Sequence, residues 1–189
     1  MADLFFYGTL CHVPLLERVL GRPAAEIALS PAVLPGWAVY WAAGECFPTI
    51  RAEARGRAEG LLLLDLDEEA LARLDHYEGG FGYALEPLEV TTPEGACQAL
   101  VYLPEGARWP AGAPWRLADW VARFGPLTLA AADEVMERFG VTTPQDRPAV
   151  SLDPGARLGA MPGAGGGADD GAPGAGAGRL PDRSDAAGL

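Results

Sequence analysis

The sequence predicts an α+β fold, and three observations predict it. Leu4-Phe5-Phe6-Tyr7 is a compact apolar and aromatic run, the composition of a strand buried on both faces. Further strand-like runs stand at residues 60–64, 85–91 and 96–103. Helical spacing of apolar residues occupies separate stretches, after Gly8, over residues 67–78 and again beyond residue 115.

Taken in order, the first strand stops at Gly8, the residue free to turn the backbone or to admit a close neighbour. A helix follows: Pro14 suits its first turn, Val13, Leu16, Val19 and Leu20 fall at helical spacing, and Gly21 suits its C-terminal cap. Strand, glycine turn and helix together leave backbone N–H groups aimed at one spot, a place for a carboxylate or oxyanion. An ordinary tight turn after a buried strand fits the same residues. Residues 33–41 read as an extended segment with a Pro-Gly irregularity, and Phe47-Pro48-Thr49-Ile50 as a short edge piece, because proline cannot sit mid-sheet. Residues 51–57 are polar and loop-like, and residues 60–64 an apolar strand. Asp67 caps the next helix, Glu68 and Glu69 sit in its first turn, and Gly79-Gly80 stop it after Glu78. Strands 85–91 and 96–103 form a hairpin through Pro93-Glu94-Gly95, a turn of three to five residues. Two helices are expected over 115–124 and 128–139, broken at Gly125-Pro126, with Gly140 as a C-cap. From Ser151 the chain becomes Gly-, Ala-, Pro- and Asp-rich, without apolar mass to offset ordering entropy, so 151–189 is expected to be a disordered tail after a domain of residues 1–150.

The whole chain has 189 residues, a formal charge of −12 and no lysine, which argues against nucleic acid and anionic membrane as partners. Neither a leader nor a run near the roughly 20 residues of a membrane span is expected. Cys11, Cys46 and Cys97 are odd in number and far apart, fitting a reducing cytoplasm better than disulfides or a metal site.

One residue is out of place. The apolar stripe through Leu71 and Leu74 continues by i+7 and i+4 to Glu78, while Glu69, Arg73 and His76 fall on the other side of the helix. A carboxylate carried into an apolar setting is expected to rise from a pKa of about 4.3 toward neutrality, which suits proton transfer. A Glu at a frayed helix end that turns to water fits the same position. Cys11-His12 does not make a nucleophile and base, since adjacent side chains diverge, and an acyltransferase built on Cys11 lacks a base. Cys46 and Cys97 read as buried inert thiols, His12 and His76 make no metal site, and Gly79-Gly80-Phe81-Gly82 follows a helix and so is no phosphate loop.

Phe6-Tyr7-Gly8-Thr9-Leu10, Phe47-Pro48-Thr49-Ile50, Leu74-Asp75-His76-Tyr77-Glu78-Gly79 followed by Tyr83, and Ala99-Leu100-Val101-Tyr102 resemble, in order and spacing, the gamma-glutamylcyclotransferase-like superfamily over residues 3–105. The resemblance implies a compact mixed β-barrel with flanking helices, to which the helices at about 115–140 and the tail are additions. It also implies no metal and no organic cofactor. By the same resemblance Tyr7, Gly8, Thr9 and Leu10 hold the α-amino acid end of a γ-glutamyl group, Tyr83 belongs to the substrate site, and Glu78 is the general acid/base. Thr9 stands where many members have Ser and offers the same hydroxyl and backbone. The implied reaction is intramolecular cyclisation of a small γ-glutamyl compound to 5-oxoproline, by a cytoplasmic enzyme. The alternative is a non-catalytic binding or interaction module on the same fold. The sequence leaves the leaving group and the oligomeric state open.

Overall fold

The computed structural model describes residues 2–78, 82–106 and 108–141. The elements run β1 (Ala2–Phe6), α1 (Val13–Leu20), β2 (Leu29–Ala42), β3 (Pro48–Leu66), α2 (Glu68–Glu78), β4 (Tyr83–Thr92), β5 (Gly95–Pro104), β6 (Ala111–Pro114) and α3 (Leu117–Met136). The sheet order is β3-β1-β5-β4-β2-β6, and β2 pairs with β3 as well. The first five strands therefore close into a ring, a mixed barrel in which β1 and β5 run parallel and the other pairs antiparallel. Closure leaves no free edge along that ring, and β6 adds a strand outside it on β2.

Alternation along β1 sorts the core into two parts. Phe5 and Tyr7 pack with Ala32, Leu34, Ile50, Ala58, Leu62, Val90, Ala99 and Val101, a set drawn from all five ring strands and hence the barrel interior. Leu4 and Phe6 point the other way, into a layer with Leu15, Leu16, Val19, Leu74, Trp120 and Ala132 beneath the helices. Both faces of β1 are buried, as its composition requires. Gly60 shows how tightly β3 passes β1. A Cβ there would lie 1.9 Å from the Phe6 carbonyl oxygen and 2.7 Å from the Phe5 ring, and a backbone carbonyl cannot swing aside. Gly60→Ala is expected to lose about 3 kcal/mol, the upper end of what overpacking costs, in urea unfolding. An unchanged midpoint would mean that β1 and β3 can separate there.

Several local expectations hold. Helix α1 starts at Val13 with Pro14 in its first turn and ends at Gly21 in the left-handed region, φ 67°. Asp67 caps α2, its Oδ1 accepting the Ala70 N–H at 2.7 Å, and Arg22 beside it, then that amide, hold the Asp67 carboxyl below its ordinary value.

Others are corrected. Residues 51–57 are not a loop but lie within β3, and the polar stretch bulges there: Pro35 pairs with Arg57 while Trp37 pairs with Ala52. The expected edge piece 47–50 is the start of the same strand, which Pro48 opens where a missing N–H costs least. Strand β2 begins at Leu29, earlier than residue 33, and β6 lies where no element was expected. The hairpin turn has only Pro93-Glu94 between the paired residues Thr92 and Gly95. The two expected C-terminal helices are one, α3, with Pro126 inside it. Proline removes one helical bond, but Trp120 and Gly125 before it and Thr128, Ala131 and Ala132 after it are buried, so packing carries the helix through. Gly140, with φ 77°, turns the chain four residues beyond the helix end instead of capping it. The expected tail from Ser151 lies outside the described residues.

Candidate active site

The segment after β1 builds one wall of a pocket. The chain leaves Phe6, passes Tyr7 and Gly8, and enters a single turn of 3-10 helix over Thr9–Cys11 before α1. The first bond of that turn runs from the Cys11 N–H to the Gly8 carbonyl, 3.0 Å, so the N–H groups of Thr9 and Leu10 have no acceptor within it. Of the two uses of glycine open at residue 8, a positive φ and a close approach, the first is not taken: its φ is −118°. Close approach is what requires glycine, since a Cβ would stand 3.0 Å from Cγ of Pro48 on the opposite wall.

Tyr7, Gly8, Thr9, Leu10, Glu78 and Tyr83, all singled out from sequence, line this one pocket of about 700 Å³, measured out to its open mouth. They share it with Phe47, Pro48, Tyr77, Tyr102 and, from α3, Trp120 and Thr128. Trp120 is buried and donates from Nε1 to the Cys46 carbonyl at 2.9 Å, which fixes α3 over the segment before β3. Neither Trp120 nor Thr128 is singled out by the sequence, because an apolar stripe on a helix carries no sign of what lies beneath it. Tyr102 stood in a quoted motif without a role. Of the side chains placed on the far side of α2, only Glu69 is exposed; Arg73 and His76 are turned into contacts with α1 and α3.

The electrostatics of the pocket single out one group. Burial pushes the Tyr7 phenol well above its ordinary value, with the charges at Tyr83 and Glu78 adding to it. Tyr83 is raised by burial and then by Glu78; Tyr102 by burial, then by its hydrogen bond to Asp75. Each phenol spends its proton on the protein: Tyr7 on the Tyr102 carbonyl at 2.8 Å, Tyr83 on the Pro48 carbonyl at 3.1 Å, Tyr102 on Asp75 at 2.7 Å. They remain neutral donors at any physiological pH. Among the described residues lining the pocket Glu78 is the one carboxylate. Cys11, behind the loop, is no nucleophile: its thiol donates to the Phe6 carbonyl at 3.1 Å, and burial pushes its pKa up to about 12. Cys46, also on the pocket wall, is raised by burial too. Cys97 is only half-buried, not the buried thiol expected.

A family model for gamma-glutamyl cyclotransferase, AIG2-like proteins matches residues 4–122, from β1 into α3. The chain belongs to this family. The solution structure of an Arabidopsis thaliana protein is similar in fold, with a TM-score of 0.53 at 19% identity, covering 78% of this chain and 94% of its own. A second Arabidopsis thaliana solution structure has a TM-score of 0.51 at 20% identity, covering 72% and 82%. A structure described as a gamma-glutamyl cyclotransferase aligns with a TM-score of 0.48 at 19% identity, covering 71% and 85%. No curated protein matches the chain. The family match ends before Thr128, so the second half of α3 lies outside the family match.

Proposed function

We propose that the protein is a gamma-glutamyl cyclotransferase-type enzyme that releases 5-oxoproline from a small γ-glutamyl compound. The observation that carries this is Glu78, the one carboxylate among the described residues of a tyrosine-lined pocket, with the Gly8 loop on the same pocket. The α-amino acid end of the γ-glutamyl group binds along Tyr7, Gly8, Thr9 and Leu10, with Tyr83 on the same site. Its ammonium passes a proton to Glu78, and the freed amine attacks the side-chain carbonyl carbon of the same molecule. Holding both groups in one bound conformer replaces a bimolecular encounter. The oxyanion formed on ring closure needs preorganised donors, and the loop N–H groups supply them; one such donor is worth about 3–4 kcal/mol. Glu78 returns the proton to the leaving nitrogen, that C–N bond breaks, and the second proton, lost by the ring nitrogen, leaves through the same carboxylate to the amine or amino acid that departs. The chemistry asks for no resident metal or organic cofactor, and the acidic surface suits a small-molecule enzyme of the cytoplasm.

The test is incubation of the purified protein with a panel of γ-glutamyl compounds, followed by chromatographic detection of 5-oxoproline. Ligand binding without any product would leave the non-catalytic binding module as the reading. Gly8→Val adds a branched side chain against the Pro48 ring, so KM is expected to rise roughly tenfold or more while the melting temperature moves by only a few degrees. Parental KM in that variant would remove the loop from the substrate site.

A further inference from the structure

Asp75 lies three residues before Glu78 on α2, is exposed, and does not line the pocket. Its Oδ1 nevertheless accepts a 2.7 Å hydrogen bond from the hydroxyl of Tyr102, a buried pocket residue on β5. The main-chain carbonyl of Tyr102 in turn accepts from the Tyr7 hydroxyl at 2.8 Å. Two bonds thus connect the end of β1, strand β5 and the last turn of α2. Residues three apart share a helix face, so whatever holds Asp75 also holds the direction in which Glu78 leaves the helix.

That turn needs holding. Glu78 is the final residue of α2, and helix ends fray. On the neighbouring sides Arg73 Nε donates to the Val19 carbonyl of α1 at 2.8 Å, and His76 Nε2 contacts the Val135 carbonyl of α3 at 3.1 Å. Those contacts tie α2 to other helices, whereas Asp75 ties it to the barrel strand that carries part of the pocket wall. A hydrogen bond at an exposed carboxylate adds little net stability, so its value is geometric.

We infer that Asp75 is a positioning residue: through Tyr102 it fixes the last turn of α2 against β5 and aims Glu78 at the pocket. This rests on the reading of Glu78 as the acid/base. Asp75→Ala and, independently, Tyr102→Phe lower kcat by roughly 10–100-fold, the scale of a misplacement near 1 Å, with KM within about threefold of the parent. Asp75→Asn keeps an acceptor oxygen in the same place and restores most of kcat. A merely structural role would lower the folded fraction in all variants and show no such rescue. Parental kcat in Asp75→Ala overturns the inference. If the parent itself makes no 5-oxoproline, the enzymatic reading fails alone, and hydrogen exchange decides the tether. Amide exchange at residues 75–78 about tenfold faster in Asp75→Ala and Tyr102→Phe supports it, and unchanged exchange overturns it.

Discussion

Glu78→Gln folds and still binds γ-glutamyl ligands, but its rate of 5-oxoproline formation is expected to fall by about 10²–10⁴-fold, the range that a general acid/base contributes. The amide keeps the shape and a hydrogen-bonding capacity while removing the group proposed to take and return a proton. Among the described residues lining the pocket, no other carboxylate can substitute for it. The phenols of Tyr7, Tyr83 and Tyr102 are all raised by burial and committed to protein acceptors, and the Cys46 thiol is raised as well. Steady-state kinetics with a γ-glutamyl substrate, alongside calorimetric binding, separates the two effects: kcat should collapse while Kd stays within a few-fold. Because Glu78 ends its helix and is only half-buried, the melting temperature should move by a few degrees at most. A Glu78→Gln protein turning over at the parent rate would end the enzymatic reading.

The sequence made much of this site legible because its parts are local. A buried aromatic strand that stops at glycine, and a carboxylate where a helix stripe calls for an apolar residue, are both visible within a dozen residues. What stayed hidden depends on distant pairing. Residues 51–57 look like a loop because an antiparallel strand half-facing water carries polar residues freely, and only the pairing of Arg51, Ala52 and Arg57 with β2, on either side of a bulge, identifies the stretch as sheet. Likewise the proline in α3 outweighed a periodicity that ran across it, since the burial of Trp120 and Thr128 on a barrel is not written in either stretch. Ring closure by β2 and β3, the contact of Asp75 with Tyr102, and the contribution of α3 to the pocket are long-range facts. Local propensity holds no information about them.

The second large effect is alkaline unfolding. Cys11 is raised from 9.0 to about 12 by burial, and Tyr7, Tyr83 and Tyr102 are all raised above 10.0, so each binds its proton more tightly in the folded state than in the unfolded one. The sign follows: their contribution is fully present below the unfolded pKa values and is lost as pH rises through the folded ones. For Cys11 the window runs from pH 9.0 to about 12. At 1.36 kcal/mol per pH unit that alone withdraws about 4 kcal/mol, a large part of a small domain's stability, before the tyrosines add to it. Stability is therefore expected to be insensitive to these groups below pH 9 and to fall steeply above it. Absorbance at about 295 nm should report the buried phenols ionising together with the loss of circular dichroism, not ahead of it. Cys11→Ala removes one of the two thiol shares and leaves that of Cys46, so the fall above pH 9 should become shallower. Tyrosines that all titrate near their ordinary value while the circular dichroism stays native would show that the pocket phenols are open to water, and the case for Glu78 as the lone proton-transfer group would lose its footing.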